Sequence, residues 1–203
     1  MATAPDTLTS DPRHLSAPMR IVFLGAPGAG KGTQAQRLKE HLHVAHLSTG
    51  EMLRNAHEAG TPLGQEAACY MNSGQLVPDD IVVGIVVDRL TEKDCERGCL
   101  FDGFPRTVPQ AEVLDRLLAE RQIPLKLVIA LEVPESQLIE RLLLRGRTDD
   151  DPDTIRERFR QYHRLTQPLL DYYGGRGVLR QITADGTPDE VFAKILGVLD
   201  AVR

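Results

Sequence analysis

The sequence predicts an α/β fold of three layers, in which helices cover both faces of a doubly wound parallel sheet of about five strands. Short apolar runs alternate with longer amphipathic segments along most of the chain, and the first run leads directly into a glycine-rich loop. A length of 203 residues suits one substantial core and falls short of two full domains. We therefore expect a single domain over residues 19–203.

The predicted strands are short apolar runs separated by segments long enough for helices. They span residues 21–24, 44–47, 99–101, 127–131 and 178–182. Such alternation is typical of a parallel sheet, and ligands bind at the carboxyl ends of the strands of such sheets. The residues that follow each run are therefore the candidates for a functional site.

Composition excludes several classes of protein. The net charge of −5 gives no general basic surface for nucleic acid, and the longest apolar runs are far shorter than the roughly 18 residues of a membrane span. We thus expect a soluble protein without nucleic acid or membrane as a partner. Cys69, Cys95 and Cys99 form no C-x-x-C pair and are odd in number, which favours free thiols in a reducing compartment, the cytoplasm.

The first 18 residues, rich in Thr, Ser, Pro and Asp, are predicted to form a disordered tail. They have no apolar segment of the kind found in signal peptides. Met19 stands immediately before the first predicted strand and is a second candidate for the natural start.

The glycine-rich loop after the first strand is typical of a phosphate-binding P-loop. It fits G-x-x-x-x-G-K, with a glycine where Ser or Thr is usual and the hydroxyl residue one place later. Glycines let backbone N–H groups turn toward an anion, and the following helix N-terminus adds partial positive charge. The residues concerned are Gly25, Gly28, Ala29, Gly30, Lys31, Gly32 and Thr33.

Two further motifs follow the second and third strands. The second strand leads into Leu47-Ser-Thr49-Gly-Glu-Met-Leu-Arg54, and the third into Asp102-Gly103-Phe-Pro-Arg106-Thr, with Gln110 shortly after. Together with the glycine-rich loop, these segments resemble the nucleoside monophosphate kinases, and most closely the adenylate kinase family. The resemblance covers nearly the whole chain from Met19 to the C-terminus.

The resemblance implies reversible phosphoryl transfer from Mg·ATP to AMP, giving two ADP, by a monomeric enzyme with a helical NMP-binding region at residues 48–77. Such a transfer depends on positioning and charge neutralisation more than on a base, because the acceptor phosphate is already an anion. The site should therefore be rich in arginine and poor in histidine, and the six histidines lie outside every motif.

The resemblance also implies roles for the residues that bind AMP and the metal. Arg54 and Arg106 would hold the acceptor phosphate, and Asp102 would hold Mg²⁺ through its water shell. A solvated helix residue and a loop cap are the alternatives for Arg54 and Asp102. The other residues implied to contact AMP are Thr49, Gln75, Val77, Gly103 and Gln110.

Thr49 and Gln110 favour adenine as the acceptor base. A glutamine amide can donate to a ring nitrogen of adenine while it accepts from the exocyclic amine. The pyrimidine kinases of the family tend to have Ala and Asn at these two positions. A UMP or CMP kinase on the same fold is therefore the nearest alternative, and a nucleotide-binding sensor without catalysis is the second.

Arginines also cluster near the predicted lid at residues 145–152. Arg141 and Arg145 lie within about 60° of Leu138 on a helical wheel, and so share its face. Arg158 borders the apolar stripe of a helical segment at residues 153–173. The resemblance places Arg141 on the donor adenine, and Arg145, Arg147 and Arg158 on the transferring phosphates, with Arg147 and Arg158 also near AMP. Arg156, Arg160 and Arg164 point away and are interpreted as a solvated face.

The lid is short, which departs from family members that insert a small domain there, so we expect no structural zinc. Asp149 and Asp150 are candidates to hold the arginines when the lid closes, and a solvated acidic loop or an N-cap is an equal alternative for at least one of them. Thr183, after the last strand, resembles the start of the turn that contacts the donor adenine. Residues 188–202 have the spacing of a final helix packed on the sheet.

Overall fold

The structure, a computed structural model, describes residues 18–202. All five predicted strands are present, and they form one parallel sheet in the order β2-β3-β1-β4-β5. The predicted α/β fold is thus confirmed. The disordered tail predicted for residues 1–18 lies, apart from Pro18, outside the described residues. The strands are β1 Met19–Leu24, β2 Ala45–Ser48, β3 Gly98–Asp102, β4 Leu127–Glu132 and β5 Leu179–Thr183.

Nine α-helices of the described chain connect and cover the strands, together with a 3₁₀ turn at Lys93–Arg97 and a π-helical segment at Tyr162–Thr166. No helix within residues 18–202 is long and apolar enough to cross a membrane. The helices are α1 Lys31–Leu42, α2 Thr49–Glu58, α3 Pro62–Asn72, α4 Asp79–Arg89, α5 Val108–Glu120, α6 Glu135–Arg145, α7 Pro152–Gln161, α8 Leu169–Gly174 and α9 Pro188–Asp200.

The hydrophobic core lies on both faces of the sheet. Ile21 and Phe23 of β1 pack in one cluster with residues of α1, α6, α7 and α9. Val22 and Leu24 point to the opposite face, where they pack with residues of α4, α5 and α8. Because β1 is buried along its whole length, it lies in the middle of three layers. The loop after β1 therefore opens at the centre of the sheet edge.

The segment at residues 153–173, which has one helical periodicity, is divided into α7, the π-helical segment and α8. The Gln167 N–H donates to the Tyr162 carbonyl at 2.8 Å, five residues back, and so closes a π turn. Pro168, which has no N–H, follows it. The predicted apolar stripe persists across the division, since Ile155, Phe159 and Leu169 are all buried.

Helices α2 and α3 lie between β2 and β3, within the predicted NMP-binding region at residues 48–77. The two helices pack closely at Gly64 of α3, where an added Cβ would lie 2.2 Å from the backbone carbon of Ala56. At the predicted lid, a six-residue connection from Gly146 to Asp151 joins α6 to α7.

Candidate active site

A cleft of about 1040 Å³ opens at the carboxyl ends of the strands. This volume is at the upper end of the range for a small-molecule site. Thr183 is outside its lining, whereas the neighbouring Ala184 and Gly186 line it. The predicted site residues that line it are Gly28, Ala29, Gly30, Lys31, Gly32, Thr33, Thr49, Arg54, Gln75, Val77, Asp102, Gly103, Arg106, Gln110, Arg141, Arg145, Arg147 and Arg158.

The glycine-rich loop joins β1 to α1 and folds tightly against α6. Gly28 has φ +84°, and an added Cβ would lie 2.8 Å from the Leu138 carbonyl oxygen, so a side chain here would strain the loop. Lys31 Nζ donates to the carbonyl oxygens of Gly25 at 2.7 Å and Ala26 at 3.0 Å. The ammonium group is therefore held over the loop by two carbonyls that an anionic ligand could replace.

Lys31 has an unusually acidic ammonium group. Desolvation lowers its pKa to about 8, although the nearby Asp102 carboxylate acts in the opposite direction. The positive charges of Arg106, Arg158 and Arg145 contribute to this lowering of the pKa. A lysine in such surroundings gains when a phosphate supplies compensating negative charge.

Asp102 is the last residue of β3 and is mostly buried. His46 of β2 lies beside it, with Nε2 3.6 Å from Oδ2. Burial alone would raise the pKa of Asp102, but His46 and Lys31 outweigh burial and keep the pKa below its usual value. The carboxylate is therefore ionised at neutral pH.

His46 is a residue that the sequence did not indicate. Its strand pairs in parallel with β3, and the register sets Ser48 beside Asp102. Because His46 stands two residues before Ser48, it shares the face of the sheet on which Asp102 lies. Only the strand order and register reveal this proximity.

The backbone of Arg106 is held on both sides. Its N–H donates to Gln110 Oε1 at 2.7 Å, and its carbonyl accepts from the Thr166 hydroxyl at 2.8 Å. The guanidinium Nε donates to the Gly103 carbonyl at 2.9 Å. Desolvation and the positive charge of Arg158 lower the pKa of Arg106. The side chain thus stands among other cations at a place suited to an anion.

The acceptor side of the cleft is built from buried polar and apolar groups. Thr49, the first residue of α2, is buried, as are Val77 and Gln110. An added Cβ on Gly103 would lie 2.9 Å from Thr49 Oγ1, which shows how closely the loops after β2 and β3 approach. Arg54 points back along α2, with Nη1 3.4 Å from a Cβ placed on Gly50.

Aspartates hold two of the lid arginines. Arg145 donates to both oxygens of Asp150, from Nε at 2.8 Å and Nη2 at 2.6 Å. Arg158 Nη1 lies 3.0 Å from Asp150 Oδ1 and 3.2 Å from Asp149 Oδ2. The structure thus brings together the groups that the sequence suggested for the lid.

A different aspartate provides the helix cap. Asp151 accepts hydrogen bonds from the N–H groups of Asp153 and Thr154 and caps α7. The N-cap considered for Asp149 or Asp150 is thus provided by Asp151. Asp150 also accepts from the Arg147 N–H at 3.1 Å, while the Arg147 residue itself is exposed on the lid.

The donor side of the cleft is bounded by α6 and the turn after β5. Arg141 donates from both terminal nitrogens to the Ala184 carbonyl, at 3.3 Å each. The Thr183 carbonyl instead accepts from Lys194 Nζ at 2.8 Å. This contact holds the turn on α9, and Arg141 forms a planar surface next to it.

The arginines predicted to point away from the cleft lie at the surface. Arg156, Arg160 and Arg164 are exposed, which confirms the solvated face. Across residues 18–202, no group of three or more His, Cys, Asp or Glu side chains is arranged to hold a metal ion directly.

The cleft as a whole is suited to anions of high charge. Desolvation and neighbouring cations lower the pKa values of Lys31, Arg54, Arg106 and Arg158. Cations gathered at this density are stabilised by phosphate groups. The arrangement can thus align two phosphate chains end to end and neutralise charge where they meet.

Comparisons with known proteins agree with this geometry. The sequence model of the family described as adenylate kinase matches residues 23–178. An adenylate kinase of Thermodesulfovibrio yellowstonii is 44% identical over 213 aligned positions, which cover 90% of this chain and 99% of that protein. An adenylate kinase of Methylorubrum populi is 49% identical, with 91% and 98% covered. One of Stenotrophomonas maltophilia is 47% identical, with 90% and 100% covered.

Proposed function

Because the chain belongs to the adenylate kinase family, we propose that this cleft catalyses the reversible transfer of a phosphoryl group from ATP to AMP, giving two ADP. The observation that carries the proposal is the convergence of Lys31 with four arginines of different elements on one cleft. Those arginines are Arg106, Arg145, Arg147 and Arg158. Such charge is what in-line transfer between two polyanions requires.

On the donor side, the glycine-rich loop holds the ATP phosphates. The N-terminus of α1 directs backbone N–H groups at them, and Lys31 exchanges its two carbonyl partners for phosphate oxygens. Arg141 covers the donor adenine, next to the turn at Ala184. Thr183 belongs to this side only through its backbone, since it is outside the cleft lining.

On the acceptor side, Arg54 and Arg106 hold the AMP phosphate, with Arg106 suited to bidentate contact through its planar guanidinium. The buried side chains of Thr49, Val77 and Gln110 surround the base, with Gly103 and Gln75 at the edge of its pocket. This side accounts for the selection of adenine.

Mg²⁺ fits the donor set of this cleft. Asp102 has a buried carboxylate that its neighbours keep ionised. Gly32 lies so close that a Cβ added to it would be 3.4 Å from Asp102 Oδ2. Asp102 would hold the ion through water, and Thr33 lines the cleft nearby. The ion would neutralise charge on the phosphates of ATP.

The chemical step needs positioning and charge neutralisation. The AMP phosphate oxygen attacks the terminal phosphorus of ATP, the bond from that phosphorus to the bridging oxygen breaks, and ADP leaves, without a covalent enzyme intermediate. Arg145 and Arg158 exchange aspartate for phosphate as the lid closes, which excludes water that would otherwise hydrolyse ATP. The enzyme acts as a monomer in the cytoplasm.

The experiment is a coupled assay of ADP formation from Mg·ATP, with AMP, UMP, CMP and GMP offered separately. We expect AMP to have by far the highest kcat/KM. A higher value with UMP or CMP would contradict the assignment of Thr49 and Gln110. Nucleotide binding without turnover of any acceptor would contradict the catalytic function and leave a binding protein.

A further inference from the structure

Asp79, the first residue of α4, contacts the predicted base-reading residue from a distant segment of the chain, and the sequence assigns it no role. Its Oδ1 accepts from Gln110 Nε2 at 2.7 Å, and its Oδ2 accepts from the Thr107 hydroxyl at 3.0 Å. Thr107 is the N-cap of α5 and accepts from the Gln110 N–H at 3.2 Å. One carboxylate thus ties the start of α4 to the start of α5.

The amide of Gln110 is held in one orientation by two partners of opposite character. Its oxygen accepts from the Arg106 N–H at 2.7 Å, and its nitrogen donates to the Asp79 carboxylate. A flipped amide would set its NH₂ against the Arg106 N–H and its oxygen against the Asp79 carboxylate. Both contacts would then be repulsive.

The held amide keeps unused hydrogen-bonding capacity. An amide nitrogen has two protons and an amide oxygen has two lone pairs, so one of each remains after these contacts. Gln110 lines the cleft beside Thr49 and Val77. The remaining donor and acceptor match the N1 acceptor and the N6 amine of adenine. A 6-oxopurine carries a donor at N1 and an acceptor at position 6, so the same amide orientation opposes it.

We propose that Asp79 is a positioning residue that determines base specificity, because it holds the Gln110 amide in the orientation that accepts adenine and rejects 6-oxopurines. This inference rests on the proposed function, in which Gln110 reads the base of AMP. Asp79 acts through Gln110 and makes no contact with the nucleotide itself.

The neighbouring Asp80 separates this role from a general effect of charge at the helix. Both aspartates lie in the first turn of α4, where negative charge is favourable. Asp79 is partly buried in its contacts with α5, whereas Asp80 is exposed. A variant of Asp80 therefore removes the same charge from the same helix terminus and leaves the Gln110 contact intact.

The test compares Asp79→Ala with Asp80→Ala, using AMP and inosine monophosphate as acceptors with Mg·ATP. We expect Asp79→Ala to lower kcat/KM for AMP about tenfold, mainly through KM, since the Gln110 amide loses the charge-assisted hydrogen bond that orients it. The value for inosine monophosphate should stay the same or rise, so that discrimination falls. Asp80→Ala should change neither acceptor.

Asp79→Asn tests the geometry of the contact. An asparagine oxygen can still accept from Gln110 Nε2 while its NH₂ donates to the Thr107 hydroxyl, so this variant should keep most of the discrimination. If Asp79→Ala does not fold, Asp79→Ser takes its place, since serine keeps a polar group at the helix start and is too short to reach Gln110.

A double-mutant cycle with Gln110→Ala distinguishes the role of Asp79 from the assignment of Gln110 to the base. We expect Gln110→Ala to reduce discrimination, and Asp79→Ala to have no further effect on discrimination in that background. Equal losses for both acceptors in Asp79→Ala would overturn the inference alone, provided that Gln110→Ala still changes discrimination. No change in discrimination on Gln110→Ala would overturn both the inference and the assignment of Gln110 to the base.

Discussion

Arg145 binds Asp150 through both carboxylate oxygens, and the Asp150 side chain is only 1% exposed. Arg158 shares the same carboxylate at 3.0 Å. One buried anion thus holds two of the cations that we assign to the transferring phosphates. The lid arginines are thereby kept close to the positions where phosphate would replace carboxylate.

Replacing that carboxylate should loosen the lid. We expect Asp150→Asn to destabilise the protein by about 2–4 kcal/mol, since two arginines lose a buried partner. Differential scanning calorimetry would measure the change. Asp153→Asn, which removes an exposed partner of Arg156 in the first turn of α7, is the control and should lower the melting temperature far less. Equal melting temperatures for both variants would contradict a structural role for Asp150.

The stabilisation that Asp150 gives the lid should be lost at acidic pH. Burial would raise the pKa of Asp150, but hydrogen bonds from Arg145 and from the Arg147 N–H outweigh it and lower the pKa. Because the folded-state pKa lies below the unfolded value, the stabilisation is present above the unfolded value of about 3.9 and is lost as the pH falls through the folded value. Wild type and Asp150→Asn should therefore converge in stability at strongly acidic pH.

Arg106→Ala should reduce kcat by about three orders of magnitude or more, in the range known for arginines that stabilise transferring phosphoryl groups. The fold should survive, because the contacts to Gln110 and Thr166 use the Arg106 backbone, which alanine retains. Arg156→Ala, at an exposed side chain, is the control and should keep the normal rate. An Arg106→Ala enzyme with wild-type turnover would show that the assignment is wrong.

The lowered pKa of Lys31 predicts that kcat/KM for ATP falls at alkaline pH. Its pKa is lowered to about 8, so the free enzyme loses this positive charge as the pH rises through that value. We expect kcat/KM for ATP to fall above about pH 8, whereas kcat should fall only at higher pH because bound phosphate restores the pKa. Initial rates from about pH 7 to about pH 10 would measure both.

Lys31→Arg provides the comparison for that profile. Arginine stays charged throughout this range, so Lys31→Arg should lack the alkaline fall in kcat/KM. A wild-type profile that remains flat would mean that Lys31 keeps its proton and that its pKa is close to normal.

Gly64→Ala should destabilise the packing of α2 on α3 and raise KM for AMP. The new Cβ would lie 2.2 Å from the Ala56 backbone, and such overpacking costs about 1–3 kcal/mol. Gly197→Ala in α9 meets no atom within 4 Å and should instead stabilise by about 0.5–1 kcal/mol. Parallel measurement of KM for AMP and ATP would show whether the loss is confined to the acceptor side.

Local pattern predicted the strands well, because most are short, mainly apolar runs bounded by polar segments. The exception is β5, which has Arg180 and Gln181 in its middle. It also predicted that Arg158 lies inward while Arg156 and Arg160 face solvent, since a helical wheel depends only on the period. The break at the π-helical segment was not predicted, because the apolar stripe continues through it with nearly the same spacing.

What the sequence could not predict depends on pairing between distant segments. The proximity of His46 to Asp102 requires the order and register of two strands, and that of Asp79 to Gln110 requires the packing of α4 beside α5. Neither of these pairings can be read from the spacing of residues along the chain. The prediction for Thr183 concerns its backbone, and a contact made by a turn's backbone leaves little trace in residue types. In the structure the neighbouring Ala184 and Gly186 line the cleft.

The π-helical segment also bears on how this chain tolerates changes in length. A π turn accommodates one residue more than an α turn, so Leu169 and Tyr173 keep their buried positions although the segment before them is longer than an α-helix would need. Deletion of one residue here would move Thr166 away from the Arg106 carbonyl, to which its hydroxyl donates at 2.8 Å. Such a shortening would thus give up one support of the Arg106 backbone.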